Sequence, residues 1–207
     1  MRAAMWLGTC GLLRAGEFTT KSTSHNILKF QHLSFLDYKH NELDPLDLDE
    51  ETPHYMSVRL EQSKTDPFRH GTTMIVGNQL AIQYIIMYLT KHKLVLNRQP
   101  LFIGSNGQAL TTGALVKFVQ SLIARANIPN AHLFLGHSFR KGGATSLHEA
   151  GHPDSLIKQM GRWTSFAFAT YIDTPLKMLI DAGRSLTKVD AVDVGTNHSF
   201  GDVNNLQ

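Results

Sequence analysis

Cysteine is almost missing from this chain: Cys10 is the single one in 207 residues. One thiol closes no intrachain disulfide and builds no cysteine-based zinc cluster, and it suits a reducing compartment better than secretion. Long hydrophobic runs are missing too. The most apolar stretch, MRAAMWLGTCGLLRAGEF at the N-terminus, imitates a secretory signal, with an arginine, an apolar run and then small residues. It falls short of the roughly 20 residues that a membrane-spanning helix needs. An amphipathic core helix is the preferred reading, and its abrupt start in mid-pattern suggests a chain cut from something longer. Net charge is also small, at +3, so total charge argues only weakly for a polyanionic partner. Histidines are present, but His132, His137, His148 and His152 are loosely spaced and lack an acidic ligand cluster, which weighs against a metal hydrolase.

What is there is ordinary globular composition, 42% hydrophobic and 18% charged, enough for one domain with a real core and a tail. The charge is unevenly spread. The stretch FLDYKHNELDPLDLDEE, from Phe35 to Glu51, is acidic, whereas from Thr112 to Lys177 lysines and arginines outnumber the acids Glu149, Asp154 and Asp173. A molecule polarised in this way suits a polyanion, although charge segregation is also common without function.

Periodicity predicts a mainly helical α+β domain with a small antiparallel sheet near its N-terminal third. Ala3 to Phe18 reads as one helix. His32 to Leu36 reads as a short strand followed by an acidic loop. Tyr55 to Gln62 and Thr72 to Val76 read as a hairpin around the turn SKTDPFRHG. Helices are expected from Asn78 to Lys91, from Thr111 or Thr112 onward, and from the HSFR stretch to a glycine stop at Gly151. Another follows Pro153, with Leu156, Ile157 and Met160 facing inward. A short helix carries Phe166, Phe168 and Tyr171, and a last one runs from Pro175 to Leu186. The polar tail, residues 188–207, reads as disordered.

A few polar side chains interrupt this pattern. In HSFRKGGATS, His137 and Arg140 lie on one face of a first helical turn, beside a helix N-terminus that favours anions. Arginine's planar fork suits a phosphate, and histidine exchanges a proton near neutrality. Gly142, Gly143 and Ala144 clear space beside them for a close approach. The plainer alternative is a capping histidine and a salt-bridged arginine. Arg14 breaks an apolar helix, with Glu17 three residues on to pair with it. Lys64 sits at the tip of the polar turn, where most lysines are merely solvated. Trp163 and Tyr171 lie in GRWTSFAFATYID, where an aromatic is more often core than catalyst. Each residue alone has a bland explanation. Together they form an inventory that could clamp one phosphodiester, attack it with a hydroxyl and protonate the leaving oxygen.

GLLRAGEF, RLEQSKTDPFRHG and LGHSFRKGGATSLHEAGHPDSLIKQMGRWTSFAFATYI together resemble the catalytic domain of the tyrosine recombinases, the phage-integrase family, over roughly residues 3–186. The GRW form resembles recombinases of eukaryotic mobile elements. The resemblance implies a set of roles. Arg14 and Arg140 would be the phosphate-clamping arginines, Glu17 a supporting acid, Lys64 the donor to the leaving 5′ oxygen, and His137 an aid to proton transfer. Trp163 would hydrogen-bond a non-bridging oxygen, and Tyr171 would be the nucleophile that forms a 3′-phosphotyrosine link. Arg14, Lys64, Lys141 and Arg162 would contact DNA. No metal and no cofactor is implied.

One spacing departs from the family's habit: the histidine or tryptophan usually stands nine residues before the tyrosine, and here Arg162 holds that offset while Trp163 is eight before. The resemblance further implies a catalytic domain over residues 1–187 without the N-terminal core-binding domain that closes the clamp. It also implies double-stranded DNA as partner, assembly as a tetramer on paired sites, and no membrane. Location would be nuclear in a eukaryote and cytoplasmic otherwise. Two functions stand open: DNA breaking and rejoining in recombination or integration, or a catalytically silent DNA-binding remnant of a mobile-element recombinase.

Overall fold

Apolar residues at every second position in three short segments line up as one face of a sheet. The computed structural model describes residues 1–20, 27–45, 47–48, 52–61, 70–92, 99–104 and 106–185. In it β1 (Leu33–Leu36), β2 (Glu42–Leu43), β3 (Tyr55–Leu60) and β4 (Thr72–Val76) form an antiparallel sheet in the order β2-β1-β3-β4. Register places Phe35 opposite Met56 and Met56 opposite Val76, and likewise Leu33 opposite Val58 and Val58 opposite Met74. These six side chains are buried, so a slip of one residue in any strand would turn an apolar row into solvent. Strand β2 lies in the run read as an acidic loop, and only its Leu43 is buried.

The helices are α1 (Arg2–Cys10), α2 (Ala15–Phe18), α3 (Gln79–His92), α4 (Thr112–Arg125), α5 (Ser138–Glu149) and α6 (Asp154–Gly161), followed by a 3₁₀ turn over Phe166–Tyr171; α3 packs on β3, and α1 packs on both α3 and α5. The Thr111 hydroxyl caps α4 by accepting from the Ala114 N–H at 3.1 Å, as its position before the periodic stretch predicts. Gly151, at φ +80°, closes the chain after α5 as the expected glycine stop. Phe18 joins two layers, meeting Phe102 and Phe139 edge-on at centroid distances of 6.1 and 6.3 Å. Residues 1–173 form one compact unit and residues 174–185 belong to a second, while the tail read as disordered, residues 188–207, lies outside the described residues. In the second unit, α7 (Leu176–Ser185) buries none of its residues, and its Leu176 and Leu179 are exposed.

Two expectations need correction. The helix read from Ala3 to Phe18 is broken. After α1 the chain turns at Gly11, Leu12 takes a left-handed conformation at φ +46°, and a new short helix starts after Arg14. Such a backbone costs a non-glycine residue roughly 1–2 kcal/mol, which burial of the Leu12 side chain, worth about 1.5–3 kcal/mol, offsets. Leu12 packs with Ala144, Ile157, Trp163 and Phe168 in a second apolar cluster. In α6, Ile157 is buried but Leu156 is on the outside, because the helix meets its neighbours on a narrower stripe than the composition suggests.

Candidate active site

The break between α1 and α2 places Arg14 at the N-cap of α2, in extended conformation, with Glu17 at the third helical position. The Glu17 carboxylate turns back and accepts from the Arg14 backbone N–H at 2.8 Å and from Arg14 Nη1 at 3.0 Å. This is no exposed helix-end pair: the Glu17 side chain is only 7% exposed. The same carboxylate receives Arg162, whose Nη2 donates to Oε2 at 3.0 Å and whose Nη1 lies 3.4 Å from Oε1. One buried acid thus holds two guanidinium groups from opposite ends of the chain.

Arg140 comes from the first turn of α5 and is completely buried. Its Nη1 donates to the Leu12 carbonyl at 2.9 Å, and its Nη2 donates to the Gly161 carbonyl. Arg162 Nη2 also reaches the Leu12 carbonyl, at 3.3 Å. The left-handed turn at Leu12 therefore aims one carbonyl at two arginines. Burial, with the Arg14 and Arg162 charges adding to it, pushes the Arg140 guanidinium down to about 10, against the pull of Glu17. Among the described residues, the buried Nε atoms of Arg140 and Arg162 have no hydrogen-bond partner. Three cations around one carboxylate, with two N–H groups unsatisfied, make a locally electropositive and donor-rich centre.

Aromatic rings cover that centre. The Arg140 guanidinium carbon lies 4.0 Å from the Trp163 ring centroid and 5.7 Å from that of Tyr171, both within cation–π reach. Trp163 and Tyr171 are tilted against each other at 5.2 Å, and the His137 ring is 6.5 Å from Tyr171. Gly161 permits this packing, since a Cβ there would lie 1.6 Å from a Trp163 ring atom. Tyr171 ends the 3₁₀ turn, and α5 anchors both its carbonyl and Asp173, two residues beyond it. Thr145 Oγ1 accepts from the Asp173 N–H at 3.2 Å and lies 3.4 Å from the Tyr171 carbonyl, while Lys141 Nζ pairs with Asp173 at 2.7 Å.

The residues singled out in the sequence thus divide. Arg14, Glu17, Arg140, Arg162, Trp163 and Tyr171 converge. His137 stands at the rim, exposed, while Arg140 on the same turn is fully enclosed, so the two do not present one common polar face. Lys141 is engaged with Asp173. Lys64 lies outside the described residues. Of the three small residues after Lys141, Gly143 makes the close approach: a Cβ there would sit 2.5 Å from the Thr9 carbonyl oxygen and from Leu12 Cδ2. Gly142 faces open space. The Leu12 carbonyl, Thr145 and Asp173 had no sequence signal, since the first acts through a main-chain atom and the other two are common surface residue types. Among the described residues no three His, Cys, Asp or Glu side chains gather as a metal-ion group, and no helix is long and apolar enough to cross a membrane.

No protein-family model matches the sequence, and no curated protein matches it either. Solved structures do share its fold. A post-cleavage complex of the XerH site-specific recombinase with a palindromic difH substrate superposes with a TM-score of 0.63 at 18% identity, over 90% of this chain and 45% of that one. XerA recombinase gives 0.62 at 16% identity, over 89% and 57%. The Tn1549 transposon integrase in complex with circular intermediate DNA gives 0.51 at 14% identity, over 89% and 56%. The chain spans about half the length of these proteins. Its architecture, mainly helical with one small antiparallel sheet, is the tyrosine-recombinase catalytic fold.

Proposed function

We propose that this chain is a DNA breaking-and-joining domain of the tyrosine-recombinase type, of mobile-element origin, acting on double-stranded DNA. The observation that carries the reading is the meeting of a phenol with a buried, cation-rich centre that holds unsatisfied N–H donors. A phosphodiester is the ligand class whose charge and oxygens suit such a centre. In the reaction, Tyr171 passes its phenolic proton to a base, the part His137 plays from the rim, and its oxygen attacks the scissile phosphorus. The bond to the 5′ oxygen breaks, leaving a 3′-phosphotyrosine link and a free 5′-hydroxyl that gains a proton, from Lys64 in the role the resemblance implies. Attack by a second strand's 5′-hydroxyl reverses these steps and reseals DNA in a new order. The covalent link conserves the bond energy, so no nucleotide is spent. Arg14 and Arg140 offset the charge that develops on the phosphate, the largest usual term in such catalysis. His137 serves proton transfer from the rim.

The DNA-bound states of the XerH and Tn1549 structures support DNA as partner. Action by a tetramer on paired sites, in the nucleus of a eukaryotic host, completes the reading. Full enclosure of Arg140 favours a second one, a catalytically silent DNA-binding remnant, because its Nη atoms are spent on two carbonyls and two rings lie over it. One experiment separates them. Wild type and Tyr171→Phe are each incubated with a pool of duplexes nicked near a central position and randomised around it. A detergent-resistant adduct with wild type alone establishes cleavage. DNA retention without an adduct from any member of the pool refutes the enzyme and leaves the remnant.

A further inference from the structure

Arg162 stands at the offset where the resemblance places a phosphate-facing residue, yet its side chain points elsewhere. It is 9% exposed and both terminal nitrogens are directed at groups of the α1–α2 break: Glu17 Oε1 and Oε2, and the Leu12 carbonyl. The backbone explains the direction. Arg162 is left-handed, at φ 58° and ψ 39°, in the C-cap position of α6, so the chain reverses there and leads directly into Trp163. At the far end, Glu17 also holds the Arg14 backbone and side chain, and Leu12 also holds Arg140. Arg14, Arg140 and the chain entering Trp163 are therefore tied to one bridge, and Tyr171 meets it through its ring contacts with Trp163 and Arg140.

We infer that Arg162 is a positioning residue: by bridging Glu17 and the Leu12 carbonyl it locks the segment bearing Trp163 and Tyr171 to the segment bearing Arg14. Its bidentate fork fixes distance and direction together, which a point charge on a flexible stem does not. This inference rests on the reading of the site given above for its catalytic consequence, but the lock itself is a property of the unliganded chain. It also separates Arg162 from the DNA contacts.

The test uses Arg162→Gln, Arg162→Lys, and the double variant Glu17→Gln with Arg162→Gln, which removes both charges and guards against misfolding from one left unpaired. The first readout is amide hydrogen exchange without DNA. The lock predicts faster exchange in residues 10–18 and 163–173 together, with the sheet unchanged. Uniform acceleration across the chain, or none, overturns it. The second readout is single-turnover adduct formation at saturating nicked duplex, together with the salt dependence of binding. Expected is a rate roughly 10- to 100-fold lower in Arg162→Gln, the scale that a misplacement of about 1 Å costs. Arg162→Lys recovers part of it, and the double variant is no slower than the slower single one. The slope of log affinity against log salt stays at the wild-type value. A slope shallower by about one, the mark of a lost phosphate contact, overturns the inference in favour of direct DNA binding. Wild type that forms no adduct refutes the proposed function and not the lock, which the exchange pattern then decides.

Discussion

Glu17→Gln removes the carboxylate that pairs with Arg14 and Arg162 beside the buried Arg140, while keeping nearly the same volume. The carboxylate accepts four N–H groups, at 2.8, 3.0, 3.0 and 3.4 Å. An amide keeps one acceptor oxygen and turns its NH₂ toward donors, so about two charge-assisted hydrogen bonds are lost, at roughly 1.5–3 kcal/mol each. Arg162, 9% exposed, is left as a buried cation without its counter-charge, a situation that costs roughly 3–5 kcal/mol. Arg14 is 22% exposed and recovers some of its loss from water. The two figures count the same loss and overlap at about 3–5 kcal/mol; with what Arg14 recovers from water the expected net loss is about 3 kcal/mol, which lowers the melting temperature of a domain of this size by about 6–12 °C. Thermal unfolding followed by near-ultraviolet circular dichroism measures it. Sulfate, titrated in at constant ionic strength, should then raise the melting temperature of the variant more than that of wild type, because an anion replaces the missing charge. A loss below about 1 kcal/mol would refute the idea that this carboxylate is the counter-charge of the cluster, since pairs of that worth are surface pairs.

Gly161→Ala places a Cβ inside the Trp163 ring, so the indole must leave Arg140; a shifted tryptophan emission and a lower adduct yield at preserved far-ultraviolet signal are expected. Gly143→Ala drives a methyl against the Thr9 carbonyl and Leu12, separating α5 from α1, and should cost about 1–3 kcal/mol in urea unfolding. Lys141→Ala breaks only a surface pair, 44% and 70% exposed, so stability should change by less than about 1 kcal/mol in the same assay.

Periodicity located the long helices and the β3–β4 hairpin because most of their apolar spacing is also their burial pattern, although Leu80, on the expected stripe of α3, is exposed. Leu89 and Ile85 in α3, Leu115 and Val119 in α4, and Met56 and Val58 in β3 sit where their spacing puts them. The break after Cys10 was not legible, since nothing about a leucine announces a left-handed backbone. Its cause is long-range, namely the apolar cluster that Leu12 joins beside α5 and α6. The residues of the candidate site were picked out through motif spacing, but their disposition was not legible. Arginine ordinarily reads as surface, and the enclosure of Arg140 depends on carbonyls from two distant turns. Arg162 was legible as a candidate for a phosphate contact, and its orientation toward Glu17 follows only from the C-cap geometry.

That C-cap puts two interests of the chain in opposition. A left-handed position at the end of a helix is where glycine is most at ease, and a search for stabilising substitutions would select Arg162→Gly for its relaxed backbone. The exchange would improve the local turn and delete the side chain that reaches across to Glu17. The misfit between residue and conformation is thus informative in itself. It marks a place where a search guided by the backbone alone would mislead, because the roughly 1–2 kcal/mol that a relaxed turn returns is smaller than the roughly 3–5 kcal/mol that breaking the buried pair costs.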